Sequence, residues 1–324
     1  MEYDVIGIGN AIVDVLASAK DEFIAAEGLS KGSMTLIDAQ RADNLYAKMD
    51  AGKEVSGGSV ANSCAGIVSL GGTARYIGRV ANDSLGSSFE QDINQAGVQF
   101  SARSVDKTGL PTARCLILVS PDAQRTMSTF LGACVELGPE DINETDIASA
   151  KVTYLEGYLW DPPKAKEAML KAARAAQEAG KKVALSLSDA FCVDRHRESF
   201  QELIDAHVDI LFANEDEALA LTQKNKLDDA LADLQGRCEL IAITRGAQGS
   251  TVLCGDERIE VAAAKVDEVV DTTGAGDLYA AGFLFGYARG ESPKTCAHYG
   301  GLAAAEIISH FGARPEVKLK TLLP

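Results

Sequence analysis

The most informative stretch of this chain is Val269-Val270-Asp271-Thr272-Thr273-Gly274-Ala275-Gly276-Asp277. An apolar run ends at Asp271, glycines follow, and the apolar residues after Asp277 have the composition of a buried helix. Glycine leaves backbone N–H groups open to a ligand, and the first turn of a helix adds unpaired N–H groups and the positive end of its dipole. The stretch therefore predicts an anion site formed by Gly274, Ala275 and Gly276, suited to a phosphoryl group.

The carboxylate of Asp277 lies inside this predicted positive corner. There it stays ionised, and it can accept a proton from an attacking hydroxyl group. The alternative is a purely structural role for Asp277, as the cap of a glycine-rich turn, and turns of this kind are common. Only residues elsewhere in the chain distinguish the catalytic role from the structural one.

Composition bounds the class of protein. The chain has 324 residues, 46% hydrophobic and 24% charged, an ordinary balance for a globular α/β protein. A net charge of −16 argues against a nucleic-acid partner, while a nucleotide stays compatible because helix ends and Mg²⁺ can hold phosphates. Seven scattered cysteines without a CxxC pair and no apolar run of about 20 residues favour a cytoplasmic protein with free thiols and no membrane partner. The N-terminus does not resemble a signal peptide.

Apolar strands alternate with helices along most of the chain. This order predicts right-handed crossovers and a mainly parallel sheet, with ligands beyond the carboxyl ends of its strands. The predicted strands are 4–9, 152–155, 183–187, 210–213 and 240–244, and the predicted helices are 58–70, 85–96, 163–179, 215–222, 226–235, 275–289 and 293–309.

Two regions break this alternation. Residues 115–119 and 125–130 flank Ser120-Pro121-Asp122-Ala123, a turn signature that predicts a β-hairpin. Residues 251–254 and 258–261 predict an antiparallel edge of the main sheet. The segments of about 12–56 and 101–135 are predicted to form a small β lid beside that sheet.

Polar side chains follow the first strand. Gly7-Ile8-Gly9 could begin a dinucleotide fingerprint, but Ile12 stands where the third glycine belongs, so an NAD(P) enzyme is disfavoured. Asn10 and Asp14 suit sugar hydroxyls instead, because a carboxylate can accept two hydrogen bonds. The alternative is that Asp14 begins a loop and faces water.

A second polar group opens the helix predicted at 58–70. Gly57 and Gly58 permit close approach of a ligand, and Asn62, one turn inside, offers a donor and an acceptor to a diol. Tight packing of small residues is the alternative, and it explains Gly57, Gly58 and Asn62 less well than it explains Ala61 and Ala65.

Three further groups of residues suit a nucleotide, its metal and its transferring phosphoryl group. Asn214 and Glu217 have the spacing of a helix capping box, and Glu217 can also hold a Mg²⁺-bound water. Thr244, Gly246 and Gly249 end a predicted strand in a turn that can wrap the adenine and ribose. Arg125, in the predicted lid, can cover a transferring phosphoryl group, although a solvated arginine is the default for such a position.

Taken together, these residues resemble the ribokinase-like (PfkB) carbohydrate kinase family. Residues 271–277 match its C-terminal signature, and the Gly57-Gly58 to Asn62 element matches its N-terminal one more loosely. The resemblance implies a single ribokinase-like domain over 1–324: a three-layer α/β/α fold with a mainly parallel sheet of nine or so strands and a β lid.

The resemblance also implies ATP as donor, Mg²⁺ as cofactor and a small-molecule nucleoside or sugar as acceptor. By matching, Asp277 is the base, residues 274–276 the anion hole, and Arg125 the lid arginine of the catalytic set. Asp271 and Thr273 fall where many members bind a monovalent cation, which makes K⁺ a candidate. The remaining matches assign Asn10, Asp14, Gly57, Gly58 and Asn62 to the acceptor, Asn214, Thr244, Gly246 and Gly249 to the nucleotide, and Glu217 to Mg²⁺ through water.

Within the family the chain resembles bacterial adenosine kinase and sugar kinase members, since Asn10 and Asp14 lie four positions apart. Adenosine as acceptor, converted to AMP, requires an apolar slot for its base, for which Phe130, Tyr158, Leu36 and Trp160 are candidates. A pentose, hexose or keto-deoxy sugar kinase remains open, as does a non-catalytic nucleotide- or sugar-binding protein. A monomer and a homodimer are both compatible with the sequence.

Overall fold

Two β-sheets of unequal size organise the computed structural model, which describes residues 2–50, 52–100, 109–122 and 124–324. The strands are β1 (Tyr3–Ile8), β2 (Ile12–Ser18), β3 (Met34–Leu36), β4 (Lys53–Gly57), β5 (Ala74–Ile77), β6 (Ala113–Val119), β7 (Arg125–Phe130), β8 (Ala150–Glu156), β9 (Lys182–Ser186), β10 (Ile210–Asn214), β11 (Leu240–Thr244), β12 (Ser250–Cys254) and β13 (Glu257–Val261).

The seven helices predicted from the sequence are present, and their bounds differ from the predicted ones by at most two residues. Four helices were not predicted from the sequence: Asp21–Ala26, Ala39–Tyr46, Glu144–Ala148 and Ala190–His207. The helices of the structure are α1 (Asp21–Ala26), α2 (Ala39–Tyr46), α3 (Ser59–Ser69), α4 (Ser84–Gln95), α5 (Glu144–Ala148), α6 (Pro163–Glu178), α7 (Ala190–His207), α8 (Glu215–Thr222), α9 (Leu227–Leu234), α10 (Ala275–Tyr287) and α11 (Pro293–Ile307).

The larger sheet has the order β13-β12-β11-β10-β9-β8-β1-β5. Strands β11 to β5 pair in parallel, and β12 and β13 close one edge in antiparallel, as the sequence predicts. Among the described residues the sheet has eight strands, where the resemblance implied nine or so.

Helices cover both faces of this sheet. Successive residues of a strand point to opposite faces, so Val5 packs in a core with α3 and α10, while Ile6 packs in a second core with α6 and α7. The result is the three-layer α/β/α arrangement that the alternation of strands and helices predicts.

The smaller sheet is the β lid, with the order β3-β7-β6-β2-β4. The predicted hairpin is confirmed: β6 and β7 pair in antiparallel, with Arg114 opposite Phe130 and Val119 opposite Arg125. Residues 101–108 of the predicted lid and Ala123 of the predicted turn lie outside the described residues.

Side-chain chemistry agrees with the composition. All seven cysteines are free thiols, and five of them are buried. Among the helices of the described ranges, none combines the length and apolar character needed to cross a bilayer.

Candidate active site

Asp277 lies in the first turn of α10, and side chains of α3 hold its carboxylate. Ser59 Oγ donates to Asp277 Oδ1 at 2.6 Å, and Asn62 Nδ2 donates to Oδ2 at 2.9 Å. Burial raises the pKa of Asp277, while the bonds from Ser59 and Asn62 and the nearby charge of Arg314 oppose that rise. A carboxylate fixed in this way is oriented, and its raised pKa makes it a better proton acceptor.

The start of α10 faces a cavity of about 540 Å³. Gly274 takes the left-handed conformation as the N-cap residue (φ 80°), and the helix begins at Ala275 without a side-chain cap. The N–H groups of a first helical turn have no intrahelical partner, so a helix start without a side-chain cap favours an anion. In this structure Ala275 N already donates to the carbonyl oxygen of Thr272 at 3.2 Å. Thr272, Ala275 and Gly276 line the cavity.

The turn after β11 also lines this cavity. Thr244, Gly246 and Gly249 line it together with small apolar residues such as Ala263 and Ala304. The structure thus brings three of the four residues predicted for the nucleotide next to the predicted anion hole.

Asn214, the fourth, is not among the residues lining this cavity. It caps α8: its Oδ1 accepts from Glu217 N at 2.8 Å, and Glu217 Oε2 accepts from Asn214 N at 3.0 Å. The predicted capping box is therefore confirmed.

Glu217 is buried, with 5% of its surface exposed, and Asn214 supplies its hydrogen bonds. Burial raises the pKa of Glu217 to about 7, and the charges of Asp189, Asp216 and Asp277 add to that rise. Among the described residues no cluster of three or more acidic, histidine or cysteine side chains could hold a metal ion. Mg²⁺ keeps most of its waters and needs few protein ligands, so Glu217 as its ligand through water stays a prediction.

Asn10 lies directly after β1 and turns its amide toward Glu156 at the end of β8. Asn10 Nδ2 donates to Glu156 Oε1 at 2.6 Å, and Val60 N donates to Oε2 at 3.2 Å. Glu156 is 1% exposed, and burial raises its pKa to about 7 despite these bonds. Glu156 therefore fixes the loop of Asn10 against the start of α3.

Asp14 extends from β2 toward the end of β4. A Cβ atom at Gly57 would lie 2.5 Å from Asp14 Oδ2, so only glycine permits this approach. The next residue, Gly58, has φ 102°, and a Cβ atom there would lie 2.1 Å from the carbonyl oxygen of Asn10. The two glycines thus bring Asp14, Asn10 and α3 close together.

We expect Asp14→Asn to stabilise the protein at pH 8 and to have little effect at pH 5. Burial raises the pKa of Asp14 to about 7, against about 3.9 for an unfolded aspartate. The native state therefore holds a proton that the unfolded state has lost, and stability falls as the pH rises from about 4 to 7. Asparagine does not ionise and avoids this loss.

Thermal unfolding at both pH values checks the effect, with an expected gain of about 2–6 °C at pH 8. Asp256→Asn, in the exposed turn between β12 and β13, is the matched control and should change neither value. An equal gain at pH 5 and pH 8 would contradict this origin.

Arg125 reaches from the first position of β7 to the stretch before α10. Its Nη2 lies 2.6 Å from Asp271 Oδ2, and its Nη1 donates to Thr273 Oγ1 at 3.1 Å. Arg125 therefore binds Asp271 and Thr273, the two side chains predicted as ligands of a monovalent cation. Both side chains thus already have a partner in this structure, and K⁺ binding there stays a prediction.

Trp160 does not belong to an acceptor slot. It is buried in the second core, stacked on Phe200 at 5.5 Å between ring centroids, with its Nε1 donating to Ser199 Oγ. Among the other three slot candidates, Phe130 is buried, whereas Leu36 and Tyr158 are 60% and 38% exposed.

Three residues that the sequence analysis did not single out complete the site: Ser59, Glu156 and Arg314. Glu156 had a usable signal, since it is a charged residue at the carboxyl end of a parallel strand. Ser59 follows the predicted Gly57-Gly58 element directly. Arg314, in the segment after α11, has no local signal.

Comparison with known proteins finds relatives along nearly the whole chain. The pfkB family of carbohydrate kinases matches residues 26–319. An adenosine kinase structure from Sinorhizobium meliloti is 52% identical, with a TM-score of 0.91 over 99% of this chain and 98% of its own. A probable sugar kinase from Rhizobium etli CFN 42 is 47% identical, with the same TM-score and coverage. Adenosine kinase of Saccharomyces cerevisiae is 26% identical over 96% of each chain.

The fold and this site define a kinase, a phosphotransferase that acts on a small molecule. The chain belongs to the pfkB family of carbohydrate kinases, whose members use ATP and typically Mg²⁺. Its relatives include nucleoside and sugar kinases.

Proposed function

We propose that this protein transfers the γ-phosphoryl group of ATP to the primary hydroxyl of a ribosyl nucleoside, with adenosine as the acceptor and AMP as the product. One observation carries the proposal. Ser59 and Asn62 fix the carboxylate of Asp277 in the first turn of α10, and the two residues before it, Ala275 and Gly276, line a cavity together with the turn after β11.

The acceptor's ribose is placed between the larger sheet and the lid. Asp14 is held close to Gly57, and its carboxylate can accept hydrogen bonds from two neighbouring hydroxyls. The Oδ1 atom of Asn62 is buried without a hydrogen-bond partner, and a hydroxyl beside Asp277 would supply one. Both residues support an acceptor that carries a diol and a free primary hydroxyl.

Proton transfer is assigned to Asp277. Its carboxylate removes the hydroxyl proton as the oxygen attacks the phosphorus, and the N–H groups of residues 274–277 stabilise charge on the transferring oxygens. Arg125 is near enough to join them, because its partners Asp271 and Thr273 directly precede the anion hole. Closing of the lid over the acceptor would exclude water and suppress hydrolysis of ATP.

Asn214 and Glu217 are proposed to hold the metal through water. Mg²⁺ bound there would neutralise charge on the phosphate oxygens. Glu217 must be ionised for this role, and its pKa of about 7 predicts weaker metal binding in mildly acidic solution.

Adenosine is favoured over a free sugar by two observations. The Sinorhizobium meliloti adenosine kinase is 52% identical over nearly the whole chain. Leu36 on the lid and Tyr158 on the body keep apolar surface exposed, which a purine base can cover. The probable sugar kinase from Rhizobium etli, 47% identical, supports a sugar as the second candidate.

The test is a coupled ADP-release assay with adenosine, inosine, ribose, fructose and 2-keto-3-deoxygluconate, run with wild type and with Asp277→Asn. We expect kcat/KM to be highest for adenosine, with a product identified as AMP by mass spectrometry. The variant controls for kinases that co-purify. A preference for a sugar would favour the second candidate, and transfer to none of the acceptors would favour a non-catalytic binding protein.

The cellular and assembly state belong to the same proposal. We infer a cytoplasmic enzyme that acts as a monomer or homodimer and has no nucleic-acid partner, in line with its net charge of −16. Sizing the purified protein by light scattering distinguishes monomer from dimer.

A further inference from the structure

Arg314 enters the site from the segment after α11 and bonds to backbone rather than to acids. Its Nη2 donates to the carbonyl oxygen of Ser56 at 2.7 Å and to Ser56 Oγ at 2.9 Å, and its Nη1 donates to the carbonyl oxygen of Ala61 at 2.9 Å. Ser56 belongs to the lid strand β4 and Ala61 to α3. One side chain thus joins the lid, the helix that holds Asp277, and the C-terminal segment.

The charge of this guanidinium is not neutralised at contact distance. Within the described ranges Arg314 makes hydrogen bonds but no ion pair. Arginine stays protonated at every pH at which proteins are folded. A half-buried charge without an acidic partner is screened less than a fully exposed one, so it acts over several ångströms on the carboxylates around it.

Asp14 and Asp277 are two of those carboxylates. Arg314 binds the carbonyl of Ser56, whose neighbour Gly57 packs against the Asp14 carboxylate. It also binds the carbonyl of Ala61, which lies between the two residues that hold the Asp277 carboxylate.

Burial raises the pKa of both Asp14 and Asp277, and the charge of Arg314 opposes the rise in both; for Asp14 it is the largest opposing influence. Arg125 also lowers the pKa of Asp14, and the charge of Asp277 raises it. The other titratable groups that face Arg314 or Asp14 are Asp92 on α4, Cys64 on α3, Tyr76 on β5 and Cys115 on β6. Those that face Asp277 are Tyr154 and Glu156 on β8, Tyr158 just after β8, and Glu217 on α8.

We propose that Arg314 is a positioning residue that favours the ionised forms of Asp14 and Asp277, so that the first can accept the acceptor's hydroxyls and the second its proton. This inference rests on the function proposed above. According to this proposal, the C-terminal segment supplies the positive charge that stabilises the carboxylates of Asp14 and Asp277.

Geometry explains why the residue is an arginine. Asp92 already accepts from Ser56 N at 2.8 Å and from Ser56 Oγ, so Ser56 lies between the two charged groups. The forked guanidinium reaches the carbonyls of Ser56 and Ala61 at once. Its carbonyl partners are neutral, which leaves the charge free to act on Asp14 and Asp277.

The experiment compares Arg314→Gln and Arg314→Lys with wild type in the pH dependence of kcat/KM for adenosine. Glutamine removes the charge, so the acidic limb should move up by about one pH unit, with a loss on the order of tenfold at pH 6.5 that shrinks by pH 9. Lysine keeps the charge, so the acidic limb of the pH profile of kcat/KM should stay at its wild-type position. Ser56→Ala, which removes only a hydrogen-bond partner, and Arg258→Gln, on the exposed β13, should leave the limb in place.

A second readout does not depend on catalysis. The carboxyl carbon of Asp14, assigned in NMR spectra by comparison with Asp14→Asn, should titrate at higher pH in Arg314→Gln than in wild type. If the wild-type protein phosphorylates no acceptor, the proposed function fails, while this titration still tests Arg314. Arg314→Met, which keeps the aliphatic part of the side chain, replaces the glutamine variant should that one not fold.

Two results would overturn the proposal. One is an equal loss of kcat/KM at all pH values in the uncharged variant, with the titration of Asp14 unmoved. The other is a limb that moves as far in Arg314→Lys as in Arg314→Gln. Either result would reduce Arg314 to a structural link between the lid and α3.

Discussion

Asp277→Asn is expected to lower kcat by at least ~10²-fold, with the affinity for ATP and adenosine little changed. Asparagine has nearly the same shape as aspartate, but it cannot take the proton of the attacking hydroxyl. The loss therefore falls on the transition state rather than on binding of the substrates.

The local structure should tolerate this substitution. Asn62 donates to Asp277 Oδ2 at 2.9 Å, and its own Oδ1 has no partner. Rotating the Asn62 amide by half a turn presents Oδ1 to the new amide group, so the contact between α3 and α10 is kept. Unfolding midpoints close to that of wild type would verify this.

Steady-state kinetics and isothermal titration with ATP measure the two effects separately. Asp256→Asn, the exposed control used above, should leave both unchanged. A kcat of Asp277→Asn within a few-fold of wild type would remove Asp277 from the role of base. A loss of nucleotide affinity with unchanged kcat would assign it to binding instead.

Gly58→Ala is expected to have the largest effect on stability, lowering the free energy of unfolding by about 2–4 kcal/mol and reducing acceptor binding. Gly58 has φ 102°, and the added Cβ atom would lie 2.1 Å from the carbonyl oxygen of Asn10. Backbone cannot yield as a flexible side chain does, so the loop of Asn10 and the start of α3 must separate.

Gly180→Ala separates the two causes of this loss. Gly180 also has a positive φ, 68°, but a Cβ atom there meets nothing within 4 Å. This control should lose only the cost of the backbone conformation, about 1–2 kcal/mol. Denaturant unfolding at fixed pH measures both variants, and equal losses would show that the contact with Asn10 contributes nothing.

The acceptor side should respond to Gly58→Ala more strongly than the nucleotide side. Asn10 is held by Glu156 and lies against Gly58, whereas the cavity that receives the nucleotide is lined by the turn after β11 and the start of α10. A rise in KM for adenosine that exceeds the rise for ATP is the expected signature. A larger rise in KM for ATP would contradict the assignment of Gly58 to the acceptor side and would assign it to the nucleotide side.

The sequence alone predicted the layers of the fold. Apolar strands of four to six residues alternate with amphipathic helices, and this local pattern determines a parallel sheet covered on both faces. The antiparallel edge at β12 and β13 and the hairpin of β6 and β7 were also readable, since turn residues separate their strands. The stretch from Asp271 to Asp277 predicted the glycine turn and the start of α10 because a turn and a helix N-terminus are local structures.

Tertiary structure alone decided how the site's side chains pair. Glu156 binds Asn10 across 146 positions, Ser59 and Asn62 bind Asp277 across 218 and 215, and Arg314 binds Ser56 across 258. A hydrogen bond between residues so far apart leaves no periodicity in the sequence. The same limit applies to Trp160, whose aromatic ring suited a base slot but packs in the second core, and to Arg125, whose partners lie beyond the lid. Local patterns specify which elements form, whereas burial and charge between distant elements specify what each side chain contacts.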